Sequence, residues 1–381
     1  MLLTLLYNQR VMTNPTLTPD EVLRLRLRSQ RLHPDDAMAT AHDLAAHLCG
    51  LQAQDINAGT LSFRPRSVGL SAGDVDRARN RERSVVRTWV MRNTLHFIAA
   101  ENVRWLLGLL SPRSIRQTQR RREQLGLPEP IVERGIDLLR DLLKDGPLPR
   151  ADLLARLGQG GIPTDGQAGI HLLARAALEG VVCYGPDAGR QETFVLLDEW
   201  LGNAPQTRPD DPLAALAGRY LAAHAPAAPE DFARWAGLTL TDARAGFDRL
   251  EEPLVAVRVA DDTLWLLESQ AGWLDARDEQ LVVRLLPRFD TYLLGWRNRD
   301  LTLPAPYADR IHPGGGILHA SVLVDGRIVA RWKPVKGKSA MTITVEPFQP
   351  LRAGVLAMLE AEARHVARFL GMDVDLTVEH P

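Results

Sequence analysis

The stretch SVVRTWVMRNTLHFI, residues 84–98, decides the expected fold. Two runs rich in β-branched and aromatic residues, 84–90 and 95–98, flank the polar turn 91–94, and this arrangement is typical of a β-hairpin. A helical pattern at about 71–81 precedes the hairpin. With two more helices before it, the region would form a winged helix, which is a helix-turn-helix with a β wing.

Two such helices are predicted. Thr18 followed by Pro19 and Glu21 is a helix-start signal with a capping box, and it opens a helix over 21–32. A second helix is predicted over 34–49, because its apolar residues have helical spacing. Gly50 then occupies the position of a C-cap glycine.

The same order of elements recurs twice along the chain. Helices are predicted at 130–144, 149–157 and 166–180, before strands at 181–184 and 193–197. A third set has helices at 212–224, 229–236 and 239–250, before strands at 254–259 and 263–267. The three units share element order rather than residues, so the predicted repeat is one of architecture.

The C-terminal part has a different pattern. Strands are predicted at 281–286, 317–324, 327–332 and 341–345, and a helix at 351–370. Asp325-Gly326 is a strong hairpin-turn signal. We therefore predict an α+β protein with three tandem winged-helix units and a small C-terminal β-barrel with a closing helix. The expected boundaries are a tail at 1–16, winged helices at 17–125, 126–205 and 206–275, and the barrel at 276–381.

Composition excludes several classes of protein. A chain of 381 residues that is 45% hydrophobic and 24% charged is typical of a globular protein with roughly two or three packing units. Cys49 and Cys183 are too few for a disulfide framework and fit a reducing compartment. No run approaches the ~20 apolar residues of a membrane span. The first residues lack the features of a signal peptide, so we expect a disordered tail or a true start at Met12, and a cytoplasmic, nucleoid-associated protein.

The charge is unevenly distributed although the net charge is −1. Residues 77–122 contain twelve arginines and two acids, and residues 281–340 contain ten basic residues and four acids. Such polarisation is typical of a groove that binds phosphates. Solvated helix faces in an arginine-rich protein would give the same pattern, and the charges alone do not choose between the two interpretations.

The candidate chemistry lies in Gln52-Ala53-Gln54-Asp55. In a helix, residues two apart point to opposite sides, whereas in an extended segment they share one side. Because Gly50 ends the preceding helix, we predict an extended segment in which the Gln52 and Gln54 amides converge. The alternative is that these side chains only cap helix ends and nearby backbone.

Two further groups of residues are candidate DNA contacts. In the hairpin, Arg87, Arg92 and His96 are predicted to project outward as a basic wing, with the aromatic residues inward; a merely solvated face is the alternative. Farther along, Arg288 and Arg297 flank Tyr292, which could stack on a base or belong to the core.

Common catalytic motifs are absent from the sequence. It contains no phosphate-binding glycine loop, no nucleophile elbow and no HExxH motif. The histidines and cysteines have no metal-ligand spacing. We therefore expect neither a metal nor a cofactor.

Several runs together resemble the bacterial AlkZ/YcaQ-like DNA glycosylases. They are GLQAQD at 50–55, VRTWVMRNTLH at 86–96, LPRFDTYLLGW at 286–296 and VLVDGRIV at 322–329. The matches lie in order across most of the chain. The resemblance implies three winged helices and a β-barrel that form a C-shaped molecule with a basic concave channel around double-stranded DNA.

The resemblance also implies the activity, which is excision of alkylated purines. The catalytic motif of this family, a glutamine, an apolar residue and then glutamine or aspartate, maps onto Gln52, Ala53 and Gln54, and Asp55 could add a negative field. The glutamine-glutamine form has studied members that unhook DNA crosslinks. We expect a monomer that hydrolyses the glycosidic bond without lyase activity, since no lysine adjoins the motif in sequence. A non-catalytic DNA-binding regulator or damage sensor is the alternative.

Overall fold

The computed structural model describes residues 15–189, 191–276, 280–336 and 340–381. Most of the predicted tail at 1–16, including the alternative start at Met12, lies outside the described residues. The end of that range is ordered, because the Pro15 carbonyl accepts from the Arg258 amide at 2.9 Å and Thr16 forms a β-bridge with Arg258. This pairing attaches the start of the described chain to the third unit.

The first unit runs from a capped helix to a long helix that leads into the second unit. Its elements are α1 Pro19–Ser29, α2 Ala41–Leu48, β1 Leu51–Gln52, α3 Ile56–Leu61, α4 Ala72–Asn80, β2 Val85–Trp89, β3 Leu95–Ala99 and α5 Val103–Gln124. The predicted capping box is present, because the Glu21 carboxylate accepts from the Thr18 amide at 2.7 Å. The sheet order is β1-β3-β2, so β1 lies beside the second strand of the hairpin. Helices α3 and α5 were not predicted.

The predicted helix over 34–49 is wrong in its first half. A 3₁₀ turn occupies Pro34–Asp36, and α2 starts only after Thr40, whose side chain accepts from the Asp43 amide at 3.0 Å. The left-handed residue that ends α2 is Cys49, with φ 51°, rather than Gly50. Gly50 is still required, since it has φ 138° and a Cβ there would lie 2.5 Å from the Met91 methyl carbon.

The second and third units repeat the topology of the first. The second contains α6 Glu129–Leu143, β4 Leu148–Pro149, α7 Arg150–Gln159, α8 Ala168–Leu178, β5 Val182–Tyr184, β6 Thr193–Leu196 and α9 Leu197–Leu201. The third contains α10 Pro212–His224, α11 Pro229–Ala236, α12 Leu240–Asp248, β7 Leu254–Val259 and β8 Asp262–Leu267. The order β4-β6-β5 matches β1-β3-β2, and in the third unit a bridge from Ala227 to Trp265 of β8 replaces the first strand. The predicted order of three helices before two strands is present in the second and third units, whereas in the first unit β1 and α3 lie between the predicted helices.

The C-terminal unit is a sheet covered by one helix. It contains β9 Val283–Leu286, α13 Thr291–Leu294, α14 Ala308–Ile311, β10 Ser321–Val324, β11 Arg327–Lys336, β12 Ala340–Pro347, α15 Ala353–Leu370 and β13 Asp373–Val378. The strand order β13-β12-β11-β10-β9 leaves β9 and β13 as edges among the described residues, so the predicted closed barrel is wrong. Helix α15 contacts both edge strands, and its apolar stripe packs on the sheet. A helix, rather than a ladder of hydrogen bonds, thus bridges the open side.

Candidate active site

The glutamine motif begins in β1, an edge strand of the first sheet, and runs on from it to a bend at Gln54. Strand β1 pairs antiparallel with β3, so that Gln52 lies opposite His96, and the Ala53 amide donates to the Leu95 carbonyl at 2.7 Å. Ala53 is fully buried, whereas Gln52 is half-buried and Gln54 is exposed. The two accessible glutamines thus lie on either side of a buried alanine in the chain, which is the burial pattern expected when residues two apart share a side.

The pairing of β1 with β3 is interrupted at the motif. A regular antiparallel pair at Ala53 and Leu95 would exchange two backbone hydrogen bonds. Instead, the Leu95 amide donates to Gln54 Oε1 at 3.4 Å, and the Ala53 carbonyl accepts from Arg87 Nε at 3.0 Å. The Leu95 backbone amide thus holds the Gln54 side chain. The side-chain amide of Gln52, in contrast, makes no hydrogen bond within the described part of the chain.

Asp55 is the N-cap of α3. Its Oδ1 accepts from the amides of Asn57 and Ala58 at 3.0 and 3.1 Å. Its Oδ2 lies 3.9 Å from a guanidinium nitrogen of Arg288. The capping interpretation of the motif is therefore correct for Asp55.

Helix α3 packs directly against the motif through Gly59. A Cβ at this position would lie 3.0 Å from Ala53 Cα and 3.1 Å from the Gln52 carbonyl oxygen. It would also lie 3.0 Å from the Phe97 ring. The missing side chain is what lets the helix that Asp55 caps approach the backbone between the glutamines.

Arg288 reaches the motif because a buried ion pair fixes its segment. Arg66 of the first unit and Asp290 are both fully buried and form a two-bond pair at 2.6 and 2.8 Å. Between Asp290 and Arg288, Phe289 has φ 58° and turns the chain. Arg288 is left exposed beside Asp55.

Other cations lie near Arg288. Arg331 and Lys333 of β11 both form ion pairs with Glu346 of β12. Burial lowers the pKa of the neighbouring His319, and the charges of these arginine and lysine side chains lower it further. We refer to Arg288, His319, Arg331 and Lys333 as the basic cluster.

The predicted outward-facing hairpin is wrong, because helices of the first unit and elements of the second unit both pack against its strands. Every residue of β2 and β3 is buried. Arg87 is 4% exposed and contacts the motif and the second unit. Arg92 donates to the Trp235 carbonyl of the third unit, and burial lowers its pKa to about 10. Burial and the Arg92 charge lower the pKa of His96 to about 3, so His96 is neutral.

Tyr292 is a core residue, so its predicted stacking on a base is also wrong. It is 1% exposed, its hydroxyl donates to the Gly326 carbonyl at 3.0 Å, and its ring meets Trp296 edge-on. Arg297 is exposed, with its amide donating to Asp231 Oδ1 at 2.8 Å. Its side chain remains a predicted DNA contact, as does that of Arg288.

The described ranges contain neither a cluster of metal ligands nor a membrane-spanning helix. There, no group of three or more histidine, cysteine, aspartate or glutamate side chains is arranged to hold a metal ion. None of the helices in the same ranges is both long and apolar enough to cross a membrane. Cys49 and Cys183 are buried free thiols.

Comparison with known proteins shows the family of the chain. The family model described as DNA glycosylase AlkZ-like matches residues 45–369, which include the glutamine motif and the basic cluster. The chain belongs to the AlkZ-like DNA glycosylase family. A relative named interstrand DNA cross-link repair glycosylase, from Streptomyces sahachiroi, is 28% identical over 373 residues, covering 92% of this chain and 96% of the relative. The solved structure of Streptomyces sahachiroi DNA glycosylase AlkZ matches with a TM-score of 0.79 and 26% identity, over 96% of this chain and 100% of that chain.

The candidate site includes residues that sequence reasoning missed. Arg66, Gly59 and His319 carried no local signal, because their roles depend on contacts between distant segments. Arg331 and Lys333 did carry one, since two cations separated by one residue on a strand share a face. The strand that carries them could therefore have been identified as having one basic face.

Proposed function

We propose that the chain is a monofunctional DNA glycosylase that hydrolyses the N-glycosidic bond of alkylated, cationic purines. The observation that carries the proposal is the arrangement of the motif, in which Gln52 and Gln54 lie on the accessible side while Ala53 is buried. Family membership supports DNA glycosylase activity. The catalytic residues and the class of lesion are inferred from the chemistry below.

A cationic purine is already a good leaving group. When the glycosidic bond breaks, the base takes the electron pair and leaves as a neutral molecule, so little acid catalysis is needed. The paired carboxylates of ordinary glycosidases can then be absent. What remains is to place a water at the anomeric carbon, which becomes oxocarbenium-like, and to release the proton of that water to solvent.

Two amide oxygens suit this task. Those of Gln52 and Gln54 can accept hydrogen bonds from one water and present negative partial charge to the sugar cation. Gln54 Oε1 has two lone pairs, so its long bond to the Leu95 amide leaves one for water. Groups that accept a proton add about 10²–10⁴ in rate, and an amide, which does not, is expected to contribute near the lower limit.

Double-stranded DNA is the proposed partner of a monomer. We propose that the three repeated units are winged helices and that they and the C-terminal sheet surround a basic concave channel. Exposed Arg288 and Arg297, with Arg331 and Lys333, would contact backbone phosphates. Arg87, Arg92, His96 and Tyr292 are not proposed as DNA contacts, because their side chains serve contacts within the protein.

Bulky adducts and interstrand crosslinks are proposed as further substrates. The relative named for crosslink repair and the glutamine-glutamine form of the motif support this range. The motif lies on an edge strand, where a large adduct meets fewer walls than in a closed pocket. Extruding a nucleotide costs a few kcal/mol, and a lesion attacked without full extrusion avoids part of that cost.

Lyase activity is not expected. Lys333 belongs to the basic cluster, but its ammonium is ion-paired with Glu346. An ammonium has no lone pair with which to attack the abasic sugar. The product should therefore be an intact strand with an abasic site.

The test is an assay of base release from duplexes that carry 7-methylguanine, a bulky N7 adduct or an N7 crosslink. We expect wild type to release the modified base, and Gln54→Ala to do so at least tenfold more slowly. Unmodified duplex is the control substrate. Binding of all the duplexes without release from any would support the non-catalytic DNA-binding alternative, which the capping role of Asp55 also favours.

A further inference from the structure

The Arg87 guanidinium takes the place of a backbone hydrogen-bond donor between β1 and β3. Its Nε donates to the Ala53 carbonyl at 3.0 Å, in place of the Leu95 amide. The Leu95 amide is thereby free to hold Gln54 Oε1. One guanidinium thus accounts for the interruption that gives the motif its shape.

The second unit holds Arg87 in this position. Its NH1 group donates to Glu192 Oε1 at 2.5 Å, at the start of the second unit's last strand. Its guanidinium carbon lies 4.3 Å from the centre of the Tyr184 ring. Both contacts come from the second unit, and both depend on the planar fork of arginine.

A second contact between the second unit and the first lies nearby. Asp187, in the turn of the same hairpin, lies 3.9 Å from Arg79, which is nearly buried and packs over the Phe97 ring. The second unit therefore places two carboxylates against two arginines of the first. Through Phe97, the Arg79 contact reaches β3, the strand that pairs with the start of the motif.

We propose that Arg87 and Glu192 are positioning residues for the glutamine motif, so that docking of the second unit shapes the catalytic strand of the first. This rests on the proposed function. Without the Arg87 bond, the Ala53 carbonyl would lose its partner, and this end of the strand and the Gln54 side chain that it positions would loosen. The rate of base release should then fall while contacts to DNA remain, because misplacement by about 1 Å can cost on the order of a hundredfold.

The test compares Glu192→Ala and Arg87→Lys with a matched control, Glu129→Ala. Glu129 accepts two hydrogen bonds from the nearly buried Arg175 inside the second unit, away from the motif. The shorter of the two, at 2.5 Å, equals the bond between Arg87 and Glu192. Single-turnover base release and DNA affinity are measured for each protein, together with amide exchange of residues 50–56. Lysine cannot bond the Ala53 carbonyl and Glu192 with one planar group.

We expect Glu192→Ala and Arg87→Lys to lower the single-turnover rate about ten- to a hundredfold, with DNA affinity changed less than about threefold, as remote backbone contacts to DNA are intact. The Ala53 amide should exchange faster in both, but not in Glu129→Ala. A variant that carries both Glu192→Ala and Arg87→Lys should be no slower than Arg87→Lys alone, because the two changes remove the same interaction.

Two results separate failure of this inference from failure of the proposed function. If wild type releases base and Glu192→Ala matches Glu129→Ala in rate and exchange, the positioning role is overturned and the glycosylase proposal stands. If wild type releases no base, the catalytic part of both proposals fails. Faster exchange in Glu192→Ala would in that case still support the brace on the motif backbone.

Discussion

At the scale of single residues, neighbouring polar side chains of one motif have different environments. Gln52 has no hydrogen bond within the described residues, Gln54 is tethered to a backbone amide, and Asp55 caps a helix. The end of the helix before the motif and the accessibility of both glutamines were predictable from the break near Gly50 and the two-residue spacing. The interruption of the strand pairing was not, because it depends on Arg87, which follows much later in the sequence.

Two substitutions of Asp55 separate its role as a helix cap from a role in electrostatic support of the reaction. Asp55→Ala should destabilise the protein by about 1 kcal/mol, as is usual for loss of an N-cap. Asp55→Asn keeps an oxygen for the Asn57 and Ala58 amides and should be nearly neutral. Urea unfolding and base release of both variants check this. A rate loss in Asp55→Asn without a stability loss would instead assign Asp55 an electrostatic role.

Gly59→Ala should slow base release about tenfold or more. Its Cβ would lie 3.0 Å from Ala53 Cα and would push the motif or α3 aside. Alanine is favoured over glycine in a helix by about 1 kcal/mol, so any loss of stability must be steric. Gly108→Ala in α5, with no atom within 4 Å of the new Cβ, is the control and should not be destabilised. Equal rates for the two variants would rule out the packing role of Gly59.

At the scale of elements, hydrophobic patterns predicted where the helices and strands of the repeated units lie better than they predicted which faces are exposed. Alternation in 84–98 identified both strands, but it assigned one face to solvent. In the structure every residue of both strands is buried, Arg87 contacts the second unit, and Arg92 in the turn contacts the third. Period-2 alternation shows which residues share a face, and it does not show whether another unit covers that face.

Four strands of the C-terminal sheet were predicted, but β13 was not, and the sheet does not close into the predicted barrel. Asp325-Gly326 marked the turn between β10 and β11 correctly. The parallel pairing of β13 with β12 follows helix α15 in the chain, and no local pattern indicated it. The sheet therefore stays open where a barrel was expected.

The basic cluster yields a prediction at this scale. Arg288→Ala should weaken duplex binding and reduce the slope of log affinity against log salt by about one, since one phosphate contact is lost. Arg364→Ala is the control, because Arg364 is exposed on α15 beside Glu360. Titrations of both variants at several salt concentrations provide the measurement. An unchanged slope for Arg288→Ala would place the phosphates elsewhere.

At the scale of the whole molecule, the site is assembled from separate units. The motif comes from the first unit, its brace Glu192 from the second and Arg288 from the C-terminal unit. The buried pair of Arg66 and Asp290 joins the first unit to the last. Such long-range pairs could not be predicted from one sequence, since neither partner differs locally from an ordinary surface charge.

Buried neutral histidines make stability depend on pH. Burial lowers the pKa of His96 and of His224 to about 3 and that of His47 to about 4, from 6.5. The unfolded chain therefore binds more protons than the folded one below about pH 7, and stability falls as pH falls toward the folded pKa values. Each histidine contributes a loss of roughly 2 kcal/mol by pH 5.

Urea unfolding at pH 7.5, 6 and 5 checks this prediction. His42 acts in the opposite direction: burial lowers its pKa, but hydrogen bonds to Asp43 and Glu101 outweigh burial and raise it. A His42→Gln variant should therefore show a steeper fall between pH 7.5 and pH 5 than wild type. Stability that is flat or rises toward pH 5 would contradict burial of neutral imidazoles.

The central claim is that Gln52 and Gln54 act together on one water. The most direct measurement is single-turnover release of 7-methylguanine from duplex DNA by wild type, Gln52→Ala, Gln54→Ala and the double variant, with DNA affinity measured in parallel. We predict that each single change slows release at least tenfold, and that the double variant is about as slow as the slower single one, as expected for residues that act as a unit. A double variant that releases the base at the wild-type rate would contradict the account.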